Sequence, residues 1–178
     1  LVNFIEIVGC AVPDVASFVV HLALGLSAVG VALGDISWDK PERLDDWKRE
    51  IVRTGIPFYP VIGNHDHLRK QGGDLQSSAE YRKRMCPENY AFFIGKDIFF
   101  SVDNIIYTAE KGYNEGYADH VLAFVRGVMK YVQGDADVYI AQHSPLAGRD
   151  TGKRILGTSD MLNLIEGHKT LFLSGHNH

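Results

Sequence analysis

The chain has 178 residues, a formal net charge of −4, 46% apolar residues and 22% charged residues. That length suits one domain with a sizeable core, and the composition is that of an ordinary folded chain rather than a disordered one. A mildly acidic balance offers no basic face to meet phosphates along a duplex, so no nucleic-acid partner is expected. Residues 15–34 (VASFVVHLALGLSAVGVALG) are about long enough to span a bilayer, but they contain Ser17, His21, Ser27 and Gly25, Gly30 and Gly34. No Lys or Arg flanks them closely on the N-terminal side, and no charged region suggests a signal peptide. The run is therefore read as part of a soluble fold, cytoplasmic or periplasmic/secreted, with no membrane partner. Cys10 and Cys86 form no metal-spaced cluster and read as free thiols.

Short apolar runs alternate with amphipathic segments, which predicts an α/β fold in a single domain spanning residues 1–178. Val2 to Val8 reads as a first strand, Val15 to Leu26 as a helix carrying His21, and Val29 to Leu33 as a buried strand ending at Gly34-Asp35. Pro41 to Thr54 reads as a helix. Pro41 suits its first turn, Leu44, Trp47 and Ile51 share one face, and Gly55 can take the left-handed cap. Ile56 to Ile62 is the next strand, and Leu75 to Met85 a further helix. Tyr90 to Ile94 and Ile98 to Val102 flank Gly95-Lys96-Asp97 as a hairpin. Ala118 to Val132 is helical by the spacing of Val121, Leu122, Val125, Val128 and Met129. Val138 to Ala141 is a strand leading to His143, Ser159 caps a helix through Ile165, and Thr170 to Leu173 is the last strand.

Four polar clusters each follow an apolar strand: Asp35, Asn64-His65-Asp66, His143, and His176-Asn177-His178. Ligands in α/β sheets gather at the carboxyl ends of strands, so these clusters are candidates to converge. Carboxylate, amide carbonyl and imidazole are the donor types that divalent metals accept. Asp35 has two oxygens and can bridge two cations, and a pair of metals would polarise a phosphoryl oxygen and make hydroxide at neutral pH. His65 can protonate a leaving alkoxide, with Asp66 or Asp39 raising its basicity. Gly34, Gly63 and Gly175 sit where the backbone must turn.

In order and in placement, Gly34-Asp35, Gly63-Asn64-His65-Asp66, His143 and Gly175-His176-Asn177-His178 resemble the successive motifs of the calcineurin-like metallophosphoesterases. The segment SVDNIIYTAEKGYNEGY resembles a subset of bacterial members. The resemblance covers the whole chain and implies two facing mixed β-sheets flanked by helices, with a dinuclear centre at one edge. It implies that Asp35 bridges, that Asn64, His143 and His176 hold the second metal, that His178 holds the first, and that His65 is the general acid, with Asp66 beside it in the catalytic motif. The cofactors implied are one or two divalent ions: Mn, Fe, Zn or Mg. The expected activity is hydrolysis of phosphate mono- or diesters by metal-bound hydroxide, on a phosphorylated small-molecule or macromolecular substrate.

The family begins with Asp-x-His or Asp-x-Gln after its first strand. Here Gly9 and Ala11 occupy those places. The first site then keeps only Asp35 and His178, which predicts a centre reduced toward a single metal, or a catalytically impaired domain that serves as a binding module. Family domains usually run beyond the last motif. Taken singly, Asp35 is equally a turn residue, His143 the start of a loop, and His176 and His178 a terminal fragment. Together they are read as a site. His67, His120 and His168 read as surface or capping residues, and Trp38 and Trp47 as core. Arg69, Lys70, Arg149, Lys153 and Arg154 are solvated or meet a substrate phosphate, and the loop Ala109 to Tyr117 is a place for specificity.

Overall fold

A computed structural model of the chain describes residues 5–12, 15–24, 27–68, 72–108, 112–148 and 152–177, with side chains from residue 29 onward. The first strands are β1 (Ile5–Val12), β2 (Val15–Leu24) and β3 (Ser27–Ala32). The helix expected over Val15 to Leu26 is therefore a strand. An apolar run without helical periodicity fits a buried strand as well as a helix, and pairing decides the matter. Here β2 is antiparallel to β1 on one side and to β3 on the other, so its backbone groups are satisfied along both edges. Val15, Val19 and Val20 are β-branched and suit that state.

Helix α1 (Arg43–Thr54) ends as expected at Gly55, whose φ of 68° takes the left-handed cap. Strand β4 (Phe58–Pro60) is shorter than the predicted Ile56 to Ile62. Pro57 and Pro60 have no N–H to give a ladder, which confines the pairing with β3 to three residues, Phe58 to Pro60. The helix expected over Leu75 to Met85 is split at Ser78 into α2 (Asp74–Ser77) and α3 (Ala79–Arg84). Strands β5 (Tyr90–Ile94) and β6 (Asp97–Ser101) form the expected hairpin. Its loop is tighter than read, because Asp97 already pairs with Ile94 and only Gly95 and Lys96 turn the chain.

A second hairpin, β7 (Ile105–Thr108) with β8 (Gly112–Glu115), was not foreseen. Its strands have four residues each and include Gly112, Asn114 and Glu115, too short and polar for a recognisable alternation. Next come α4 (Asp119–Met129), β9 (Val138–Gln142), α5 (Thr158–Leu164) and β10 (Thr170–Ser174). The residue preceding α5 in the cap position is Gly157, not Ser159. Among the described residues the strands form sheets ordered β1-β2-β3-β4, β10-β9-β6-β5 and β7-β8, with five α-helices.

Alternation along the strands sorts their side chains between layers. In β3 and just beyond, Val31 and Leu33 pack with Phe99, Ala141 and Leu173 of the second sheet. Ala32 between them packs the other way, with Leu44 of α1 and Tyr81 of α3. In β6, Phe99 faces the first sheet, while Ile98 and Phe100 join Val121, Val125 and Met161 of α4 and α5. Burial of these side chains supplies the main driving force, each at about 1.5–3 kcal/mol for a large aliphatic or aromatic group. Cys86 is a free thiol, as expected. Among the described residues no helix is long and apolar enough to cross a membrane.

Candidate metal centre

Parallel pairing aligns the carboxyl ends of the strands that carry the motifs. β3 runs parallel to β4, and β9 to β10. The chain leaves β3 at Gly34-Asp35, β4 through Gly63-Asn64, β9 at His143 and β10 at Gly175-His176. Two glycines let these ends approach. Gly34 has φ 93°, and a Cβ there would lie 2.4 Å from Nδ1 of His143. A Cβ on Gly63 would lie 2.3 Å from the backbone nitrogen of Asp35.

His143 is the centre of the cluster. It is buried, and its Nδ1 lies 2.7 Å from the Leu33 carbonyl. A carbonyl only accepts, so Nδ1 carries the hydrogen and, in the neutral ring, Nε2 presents a lone pair. Around Nε2 stand Oδ1 of Asn64 at 2.9 Å, Nδ1 of His176 at 2.9 Å and Oδ1 of Asp35 at 3.3 Å. The ligand atoms of Asp35, His143 and His176 all lie within 4.8 Å of one another. A carboxylate, an amide oxygen and two imidazole nitrogens thus face one point. With His143 neutral and the hydrogen of a neutral His176 on Nε2, these are acceptors confronting acceptors, and a cation at that point resolves the conflict.

A proton is one such cation. Burial opposes charge on His143, but the Asp35 carboxylate outweighs it and raises the imidazole above its ordinary value. Burial likewise works against ionising Asp35, yet His143 and the backbone N–H of His65 hold its carboxyl low. His176 is shifted the other way, its pKa lowered first by burial and then by the neighbouring His143. A divalent ion would compete with a proton for the same lone pairs.

The backbone here is held in uncommon conformations. Asp35, Trp38, Asp39 and His176 have φ of 57°, 52°, 63° and 69°. Non-glycine residues in this region cost of order 1 kcal/mol or more each and persist only where surroundings fix them. Asp66 supplies much of that fixing: Oδ1 accepts from the Ser37 N–H at 2.6 Å and Oδ2 from the Gly63 N–H at 2.9 Å. His65 is placed by its carbonyl, which accepts from Ser37 Oγ and from the Asp39 N–H, both at 2.8 Å. Of the two carboxylates expected near its ring, Asp39 is the one there, with Oδ2 2.9 Å from Nδ1. Trp38, read as core, is 40% exposed and lies against the His65 ring at a 4.4 Å centroid separation.

His178 lies outside the described residues, as do Arg69, Lys70 and Arg149. Gly9 and Ala11 sit on edge strand β1, with β2 between it and β3. Val8 is level with Val19, and Val19 with Ala32, so the backbone at the missing first motif runs about 10 Å from β3, two strand spacings away.

Two residues that the sequence reading passed over matter here. Glu115, at the end of β8, has Oε1 3.2 Å from Nε2 of His176. His67, read as a surface residue, is buried at 1% exposure. Its ring stacks on Tyr107, whose hydroxyl donates to the backbone carbonyl of Asn64 at 2.9 Å. Ser77 Oγ donates to the Asp74 carbonyl, so it accepts from His67 Nδ1 at 2.8 Å. Nε2 then faces Oδ2 of Asp103 at 3.4 Å. Burial disfavours charge on His67, but Asp103, with Asp74 and Asp66 beyond it, raises its pKa above the ordinary 6.5. A raised folded-state pKa means the folded chain holds this proton more tightly than the unfolded one. The stabilisation is complete below pH 6.5 and is lost as pH rises through the folded value. Urea midpoints of wild type and His67→Gln should therefore differ most in mildly acidic buffer and converge toward alkaline pH. A gap that does not narrow would mean that His67 is neutral in the fold.

No protein-family model matches the chain, and no curated protein matches it significantly.

Proposed function

We propose that the chain is a metal-dependent phosphoester hydrolase of the calcineurin-like metallophosphoesterase type, with one well-formed metal site. The observation that carries this reading is the convergence of Asp35, Asn64 and His176 on the lone pair of His143. Those four residues would hold the ion, and the donor set of one carboxylate, one amide oxygen and two imidazoles fits a divalent first-row metal. Support for the αββα architecture comes from the packing order of α1 and α3 on the first sheet, that sheet on the second, and the second on α4 and α5.

When bound, a divalent ion supplies Lewis-acid polarisation of a phosphoryl oxygen and a water acidic enough to attack at neutral pH. The chain's own residues do the rest. Asp39 lies against the His65 ring, its Oδ2 2.9 Å from Nδ1. That ring can give a proton to the leaving alkoxide, or hold charge building on the phosphoryl oxygens. The His65 amide donates to Oδ1 of Asp35 at 2.9 Å and so ties the acid's backbone to the ligand's carboxylate. Asp66 holds the Gly63 and Ser37 amides and with them the spacing between the ligand loop and the Asp39 turn.

A second reading, a domain that binds a phosphorylated ligand without turnover, is favoured by Gly9 and Ala11. Neither offers a metal-binding side chain, and their strand is separated from β3 by β2. The two readings part in one experiment. Purified protein titrated with Mn²⁺ should take up one ion tightly, and then hydrolyse p-nitrophenyl phosphate or its bis-ester in a chelator-sensitive manner. Tight Mn²⁺ binding without turnover on either ester selects the binding module. Failure to bind Mn²⁺, Fe²⁺, Zn²⁺ or Mg²⁺ removes the hydrolase reading.

A further inference from the structure

Glu115 belongs to none of the ligand motifs. It ends β8, in the two-stranded sheet, and reaches the cluster from outside the two larger sheets. Its Oε1 lies 3.2 Å from Nε2 of His176. The other nitrogen, Nδ1, lies 2.9 Å from Nε2 of His143. An ionised carboxylate only accepts, so the imidazole nitrogen facing it carries hydrogen. A neutral ring has one N–H, and placing it on Nε2 leaves the lone pair on Nδ1.

The backbone around Glu115 is firmly tied. Glu115 pairs with Ile105 across the β7–β8 ladder. Its carbonyl accepts from the Leu156 N–H at 3.0 Å, and the next amide, Gly116, donates to the Asn104 carbonyl at 2.9 Å. The Asn104 side-chain oxygen in turn accepts the His143 N–H at 3.1 Å. One brace therefore reaches the His176 ring and the His143 backbone. His176 has φ 69°, a conformation that a histidine keeps only with outside support.

We propose that Glu115 is a positioning residue of the metal centre: it fixes His176 as the Nε2–H tautomer and aims Nδ1 at Asp35, Asn64 and His143. This rests on the metal-centre reading above. A carboxylate behind a ligating imidazole orients the ring and raises its basicity, and losing such a partner costs about 10–100-fold in metal affinity. Glutamine keeps an acceptor oxygen at the same reach, whereas alanine does not.

The test compares full-length wild type, Glu115→Gln and Glu115→Ala. Nitrogen-15 NMR of the histidine rings reads the His176 tautomer in the metal-free protein at mildly alkaline pH, and calorimetric titration with Mn²⁺ reads affinity. Wild type and Glu115→Gln should show the Nε2–H tautomer and bind Mn²⁺ within a few-fold of each other. Glu115→Ala should show mixed tautomers and bind about 10–100-fold more weakly, with unchanged circular dichroism. An alanine variant with the wild-type tautomer and wild-type affinity overturns the proposal, as does a glutamine variant as weak as alanine. If wild type binds no Mn²⁺ while the tautomer still depends on Glu115, the hydrolase reading fails and the placement of His176 by Glu115 stands.

Discussion

Substituting His143→Ala should abolish tight metal binding, weakening Mn²⁺ affinity by more than the roughly 10–100-fold that follows loss of an outer partner. The other candidate ligands among the described residues surround this ring: Asn64 and His176 each at 2.9 Å and Asp35 at 3.3 Å from its Nε2. The metal-free protein should also lose stability, because the nearly inaccessible Asp35 carboxylate would lose the imidazole that faces it. The decisive readout separates these two effects. Saturating Mn²⁺ raises the stability of any fold that binds it, by about 2.7 kcal/mol at one hundred times Kd. Wild type should show that rise in its urea midpoint and His143→Ala should not. A variant that is merely less stable, yet gains as much from Mn²⁺ as wild type does, would exclude His143 as a ligand.

His65→Ala should do the opposite. Turnover should fall by about 10²–10⁴-fold, the usual contribution of a positioned acid, while Mn²⁺ affinity and the Mn²⁺-induced stabilisation stay as in wild type. The side chain meets Asp39 and Trp38. What His65 gives to Asp35 is its backbone N–H, which alanine retains. Unchanged turnover would remove His65 from the chemistry. Loss of metal together with turnover would show instead that the ring supports the fold of the ligand loop. Measured side by side, the two substitutions divide the cluster into a part that holds the ion and a part that moves a proton.

Much of this was legible in the sequence, for physical reasons that differ from place to place. Helix α1 declared itself through Leu44, Trp47 and Ile51 at helical spacing and Gly55 at its end, because a long amphipathic segment has one natural conformation. Asp35, Asn64, His143 and His176 were found because each follows an apolar strand, and strand ends are where an α/β sheet offers polar groups. Residues 15–24 could not be read so. An apolar run without a period is decided by what pairs with it, and here β1 and β3 take both edges. The β7–β8 hairpin was missed because four-residue strands with Gly, Asn and Glu carry no alternation to see.

The chain order of residues thus determined which side chains are offered for a centre: Asp35, Asn64 and three histidines, His143, His176 and His178, with no carboxylate at Gly9. Tertiary structure alone decided how they are used. It placed Asp39 rather than Asp66 against His65, and turned Asp66 to the backbone of Ser37 and Gly63. It buried His67 behind Tyr107 and brought Glu115 from an unforeseen hairpin to Nε2 of His176. A hydrogen bond acts over about 3 Å in space and is indifferent to separation in sequence, so partners such as Leu33 and His143, or Glu115 and His176, exist only once the strands have packed.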